Sequence, residues 1–447
     1  MITLLIALVL FFTLELFVGS PSIINLNAYV GIVIAVYVTI NVFYFLKYKK
    51  GQDIFCAELL FSISFFLASF LLYFFLPLLD TWQSRIYVAD SDIIFKAYTI
   101  SIIGYLMYML GLIVKKPMTN DEAFIKFHFN GSFINIAVLL CSFFIVLFFL
   151  NDGIKMLSMY DSNYNTGWEN RFEEIGSLLT YSTITFIIST FAISSLGNIK
   201  HIVKRPISWI YMFNLVVLFF ITLFSGYRSG LLQLVIPVII AYSNNIKKLN
   251  GSKVMAILIA GMILMVAARY TRSGQTFNRE SATWFTYVSD FTPTNASLTF
   301  MIDYVDKNGS AHGSNMLYQL FSVIPFMQGI LSKTGLIGSA APTSSSFYTS
   351  YFDSYSGLGT GIISDLYYSF GSIGVYVLMF VMGFFVKKIT HFRTPYGYLM
   401  LLVFAGNAIF ASRVEYLYIV RTLSFSVIFF WLISLVAGKP TITYTKK

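Results

Sequence analysis

The arginines of this chain are spaced to hold an anion. Arg228 sits in "SGYRSGLL" (225–232) with a glycine two residues away on each side, so the backbone can approach a bound group closely. Arg269 and Arg272 are three apart in "ARYTRSG" and share one helix face. Arg413 and Arg421 flank "VEYLYIV". A guanidinium is a planar fork, charged at any relevant pH, that grips phosphate through two parallel hydrogen bonds. Together these five suit a phosphorylated ligand. Three other groups could move a proton beside such a clamp: Asp365 in "GIISDLYYSFGSIG", Glu415 between the last two arginines, and His312 in "SAHGSN". Each residue also has a plainer role open to it. Asp365 could cap a helix start, Glu415 could be a counter-ion, and His312 could be a surface loop residue. Arg269 and Arg272 could snorkel to head groups, and Arg421 could pair with a carboxylate on another helix.

The elements that must position these groups follow from composition. Of 447 residues, 57% are hydrophobic and 11% charged, and the mean hydropathy is +0.75, so no water-facing shell could cover such a core. Apolar stretches of roughly 17–25 residues recur, the length a helix needs to cross the hydrocarbon layer. Backbone polar groups in lipid must be satisfied internally, so these stretches are helices. Basic residues cluster in every second short loop, as the positive-inside rule requires of cytoplasmic loops: "KYKK" (47–50), "KK" (115–116), "KHIVKR" (200–205), "KK" (247–248), "KKITHFR" (387–393) and the terminal "TKK".

The fold expected is all-α, with about twelve spans at 1–18, 28–46, 54–79, 93–114, 131–150, 175–196, 206–224, 231–246, 254–270, 361–386, 396–412 and 416–437. The whole chain, 1–447, reads as one polytopic membrane domain with both termini cytoplasmic and a large outer loop at 271–360. The first span lacks a basic flank and is expected to remain uncleaved. The eighth carries Pro237 and is expected to be kinked or re-entrant. Within the outer loop, the Pro325-interrupted stretch 314–331 reads as an interfacial or re-entrant helix, while the tyrosines of "SSFYTSYFDSYSG" (345–357) could stack on sugar rings but read mainly as core. Cys56 and Cys141 fall within spans and offer neither a disulfide framework nor a metal-ligand spacing. The net charge of +10 is dispersed over inner loops rather than gathered on one face, which excludes nucleic acid as a partner.

Sorting cations by side sharpens the picture. Eight of ten arginines fall on the outer side or in the outer half of a span, whereas among twenty lysines only Lys96, Lys155, Lys307 and Lys333 are outer. Topology alone treats Lys and Arg alike, so the outward arginine surplus points to an anionic ligand at the outer leaflet. Arg421 lies several residues inside the bilayer, where an unpaired arginine costs about 2.5–3.5 kcal/mol on the insertion scale.

The layout, "SGYRSGLL" after the seventh span, the long late outer loop and "GLGTGIISDLYYSFGSIGVYVLMFVMG" entering the tenth together resemble the O-antigen polymerases (Wzy) of Gram-negative inner membranes. The layout covers the whole chain, and the local motifs cover roughly 225–275 and 355–421. The resemblance implies a C-type membrane glycosyltransferase fold and an inverting, metal-independent transferase at the periplasmic face. Its substrate would be an undecaprenyl-diphosphate-linked oligosaccharide, and it would need no cofactor. The arginines would bind the diphosphate, and Asp365, Glu415 or His312 would take the acceptor proton. It also implies a bacterial inner-membrane location and leaves room for a chain-length regulator protein as partner. Two other readings stay open: an O-antigen ligase transferring glycan to lipid A core, for which an outer histidine would be essential, and a flippase, for which two symmetric halves would be expected.

Overall fold

The structure, a computed structural model, describes residues 1–18, 26–48, 56–71, 90–114, 124–153, 169–198, 204–224, 228–247, 293–325, 343–352, 359–390 and 394–445, together with Ile202, Leu249, Met327, Ile330, Leu331 and Thr334. Fourteen α-helices and a short two-stranded ribbon are found among them. In chain order the elements are α1 (Ile2–Val18), α2 (Leu26–Tyr48), α3 (Ala57–Ser69), α4 (Ser91–Ile113), β1 (Phe124–His128), α5 (Gly131–Leu150), α6 (Glu169–Ser194), α7 (Pro206–Phe224), α8 (Arg228–Asn245), α9 (Pro293–Asn308), α10 (Ser314–Phe321), α11 (Ser344–Tyr351), α12 (Ile362–Thr390), α13 (Pro395–Ala408), α14 (Tyr416–Ala437) and β2 (Thr441–Thr445). Seven of the described helices are long and apolar enough to cross a membrane, and three shorter ones are apolar. The chain is a mostly helical, polytopic membrane protein. The span expected at 254–270 lies outside the described residues, whereas each of the other eleven coincides in whole or part with a helix.

The chain forms two compact units. The first comprises Met1–Thr119, Trp284–His391 and Ala408–Arg421. Its axis is α4, buried along most of its length and packed on α12. At the crossing, Gly111 faces the backbone of Phe380, Gly383 and Phe384, and Gly383 faces the backbone of Tyr108, so any side chain at either position would collide with main chain. Close backbone approach through small residues is how membrane helices gain packing energy without a hydrophobic drive between them. Tyrosine hydroxyls add interhelical ties: Tyr105 donates to Asn41 Oδ1 at 2.6 Å, and Tyr29 pairs with Thr99 at 2.7 Å.

The tenth expected span, 361–386, is not one straight helix. Gly371 in α12 has φ +65° and ψ −155°, a backbone state essentially confined to glycine. The chain breaks there into a short leading helix carrying Asp365 and Ser369 and a longer following one. Sequence pattern missed the break because both parts are apolar.

The second unit comprises Asn120–Thr283, Phe392–Asn407 and Thr422–Lys447. Here α5 starts with Asn130 as its cap, whose side chain accepts the Phe133 N–H at 2.7 Å. Helix α8 begins at Arg228, three residues before the expected span, and continues through Pro237. A methyl group on Gly406 of α13 would come 3.0 Å from Pro237 Cγ, and beside it Gln233 Nε2 donates to Asn407 Oδ1 at 2.9 Å. The ribbon pairs β1 with β2 antiparallel, from Phe124 opposite Thr445 to His128 opposite Thr441. Because β1 precedes α5 and β2 follows α14, the start of α5 and the end of α14 lie at the same end of this unit.

Candidate functional site

Several polar side chains of the first unit converge on Asp365, in the first turn of α12 and fully buried. Ser344 Oγ, at the start of α11, donates to Asp365 Oδ1 at 2.7 Å. Asn315 Nδ2, in the first turn of α10, donates to the same oxygen at 3.1 Å and to Ser369 Oγ at 2.8 Å. Gln319, one helical turn further on α10, approaches it at 3.5 Å. The Tyr416 N–H, at the start of α14, donates to Asp365 Oδ2 at 3.0 Å. A buried carboxylate is tolerable only when such donors surround it.

Glu415 is tied into the same knot. Its Oε1 accepts the N–H of Ser345 at 3.1 Å. Adjacent residues of one segment, Ser344 and Ser345, thus hold the two acids, and adjacent residues of another, Glu415 and Tyr416, are held in return. Unlike Asp365, Glu415 is half-exposed. Arg413 ends a 3₁₀ turn, Ala411–Arg413, that contacts α3 through the hydroxyls of Ser412 and Ser64. Arg421, half-buried on α14, lies over the Tyr418 ring at 4.7 Å. Two carboxylates and two arginines therefore share one short stretch, 413–421, with its partners.

His312 stands apart by its exposure. It has φ +49° and its Nδ1 lies 3.4 Å from Ser310 Oγ. Its loop is pinned to α12: Ala311 N–H donates to Tyr368 O at 2.8 Å, and Gly313 N–H donates to Ser369 O at 3.0 Å. Arg228 belongs to the second unit, where it is the first residue of α8. Arg269 and Arg272 lie outside the described residues.

A second polar tie marks the same end of the first unit. Lys96, at the start of α4, donates to both oxygens of Asp306, near the end of α9, at 2.7 and 2.6 Å. Tyr367 Oη of α12 also donates to Asp306, at 3.0 Å. The starts of α4, α12 and α14 and the end of α9 therefore gather at one end. The loop tyrosines expected as core behave so in part. Tyr348 is buried against Phe300 and Met301, and burial pushes its phenol up to about 12, which keeps it protonated at neutral pH. Tyr351 is 58% exposed at the edge of the same cluster.

Sequence reasoning missed Asn315, Gln319, Ser344 and Asp306. A signal for the first two existed: two amides spaced i, i+4 in an otherwise apolar stretch form a polar face. Their burial inverts the usual pattern, for Leu317, Leu320 and Phe321 of the same helix point outward. The chain also contains an Asp-x-Asp pair, Asp90 and Asp92, at the start of α4. Among the described residues, no group of three or more His, Cys, Asp or Glu side chains could hold a metal ion.

Seven membrane-length helices, with two acids held among hydrogen-bond donors at one end of the first unit, define a polytopic membrane protein. The chain belongs to the O-antigen polysaccharide polymerase Wzy family, whose family model matches residues 1–444. No curated protein and no solved structure matches it. It is a multi-pass bacterial membrane protein and an O-antigen polymerase, acting on lipid-linked repeat units in a membrane.

Proposed function

We propose that this chain joins undecaprenyl-diphosphate-linked oligosaccharide repeat units at the periplasmic face of the inner membrane, with inversion and without a metal ion. The observation that carries this reading is the reciprocal tie of Ser344 to Asp365 and Ser345 to Glu415 beside Arg413 and Arg421. The acceptor hydroxyl attacks the anomeric carbon opposite the diphosphate. The bond from that carbon to the diphosphate oxygen breaks, undecaprenyl diphosphate leaves, and the hydroxyl proton passes to a carboxylate. Glu415 suits that last role better than Asp365, because a base must be reachable and Asp365 is fully enclosed by its donors. Asp365 then acts as a positioning residue, fixing the peptide of Tyr416 and so the acid before it. His312 is the weaker base, since it is exposed and its described contact is a serine of its own loop.

A diphosphate is already a good leaving group. It needs fixed positive charge where negative charge grows. Arg413 and Arg421 suit that need in the first unit, and by residue type Arg228, Arg269 and Arg272 are further diphosphate ligands in this reading. The start of α8 at Arg228 supports its part, because the first N–H groups of a helix lack intrahelical partners and favour anions.

Twelve spans, with the gathered ends of α4, α12 and α14 outward and both termini inward, fit the cation distribution. Lys47 closes α2, and Lys387 and Lys388 close α12, at the ends this topology assigns to the cytoplasm. In the same reading the chain, 1–447, is a single polytopic membrane domain with 271–360 as its large periplasmic loop, and a chain-length regulator protein acts beside it.

Deleting the gene and running the lipopolysaccharide on a gel tests the reading. Core bearing a single repeat is expected. Core with no glycan while long polymer accumulates elsewhere points to a ligase, and loss of all surface repeats points to a flippase.

A further inference from the structure

We propose that the second unit holds an anionic phospholipid in a cavity at the adjoining ends of α6, α7 and α8. The cavity has a volume of about 410 Å³, and its walls include Ile193, Trp209, Met212, Val238, Ala241 and Ile246. It opens on one side, where Trp209 is 66% and Met212 49% exposed. That volume falls within the ~300–1,000 Å³ of small-ligand sites. The walls are almost entirely apolar, which suits hydrocarbon and excludes a sugar or a nucleotide.

Two further observations choose the kind of hydrocarbon. Ser208 lines the cavity and is 3% exposed, yet its Oγ makes no hydrogen bond in the structure. A buried hydroxyl without a partner carries a desolvation penalty that an acceptor such as an ester carbonyl would relieve. Cations adjoin the walls in sequence: Lys204 and Arg205 lie between the wall residues Ile202 and Ser208, and Lys247 directly follows Ile246. All three are exposed. No Asp or Glu occurs from residue 175 to residue 279, so this stretch supplies them no counter-ion. Hydrocarbon walls, one buried donor and a cationic rim match, in that order, the acyl chain, ester and phosphate of one molecule. A zwitterionic lipid would leave the rim's charge unmatched, and free phosphate would leave the cavity empty. In the topology proposed above, this is a site of the cytoplasmic leaflet.

Trp209 provides the probe. The protein is reconstituted in phosphatidylcholine vesicles containing a low mole fraction of phosphatidylglycerol or phosphatidylcholine with brominated acyl chains. The fluorescence difference between wild type and Trp209→Phe is then followed. Brominated phosphatidylglycerol is expected to quench the Trp209 contribution several-fold more than brominated phosphatidylcholine. The preference should vanish in Lys204→Gln/Arg205→Gln/Lys247→Gln and weaken in high salt, which screens exposed charge. Ala241→Phe, which fills the cavity, should reduce quenching by either lipid. Should the triple variant fail to insert, native mass spectrometry of wild type and Ser208→Ala reads the same site as the number of phosphatidylglycerol molecules retained, expected to be fewer in the variant. Equal quenching by the two lipids in wild type, a preference that survives the triple change, or equal retention in Ser208→Ala overturns the proposal.

Discussion

Tyr416 joins Asp365 to Leu378: its N–H donates to Asp365 Oδ2 at 3.0 Å, and its hydroxyl donates to Leu378 O at 3.1 Å. Thirteen residues of straight helix would separate Asp365 and Leu378 by ~20 Å, at 1.5 Å per residue, farther than one tyrosine reaches. The break at Gly371 shortens that separation, bringing the Leu366 carbonyl of the leading helix against Gly374 of the following one. One residue of α14 can therefore register both halves of α12 and hold Glu415 next to Asp365. The acid site is a consequence of that break.

Gly371→Ala should be damaging for this reason. Alanine does not adopt φ +65°, ψ −155°, and a forced residue there costs about 1–3 kcal/mol. Lower thermal stability in detergent and shortened O-antigen chains are expected. Gly31→Ala is the control: Gly31 lies inside α2 with open space where its side chain would be, so alanine should be neutral or stabilising by up to ~1 kcal/mol. If the two substitutions behave alike, Gly371 has no special conformational role.

Asn315→Leu tests the floor of the site. It removes one donor to Asp365 and one to Ser369, both fully buried. A buried acceptor that loses its donor costs about 1–3 kcal/mol, more when charged. Loss of stability together with polymerisation is expected. An unaltered melting profile with full-length chains would mean that Asp365 does not depend on α10.

Much of this architecture was legible in the sequence, and particular residues show where legibility stopped. Hydropathy placed α5, α7 and α14 to within a residue or so, because membrane length and apolar composition are local properties. The Asn315–Asp365 and Ser344–Asp365 bonds join residues 50 and 21 apart, and nothing local distinguishes Ser344 from its neighbours in "SAAPTSSS". The β1–β2 ribbon joins residues 124–128 to 441–445, and five-residue strands carry little signal of their own. Gly371 reads as one of several glycines in an apolar run. Its backbone state is set by tertiary contacts.

Arg228→Lys should lose most polymerisation while the protein inserts normally. The charge is kept, but an ammonium cannot reproduce a bidentate fork on a diphosphate. Wild-type chain length from a well-expressed variant would make Arg228 a topological residue.

Arg421→Met separates two partners. If the guanidinium serves the diphosphate, methionine keeps length and bulk and removes a charge that is expensive in the bilayer, so insertion should be normal. Activity should fall by ~10²–10³, as when one donor to a developing anion is removed. If Arg421 instead neutralises a protein carboxylate, the change strands a buried negative charge, and inserted protein should fall with activity. Protein level measured beside chain length decides between them.

The most direct test of the central claim uses purified protein and lipid-linked repeat units in excess EDTA. Wild type is expected to build a ladder, and Glu415→Gln, which keeps shape and removes the base, is expected to lose ~10²–10⁴ in rate at normal insertion. A full ladder from Glu415→Gln, or a wild-type ladder that fails in EDTA and returns with magnesium, would contradict the account.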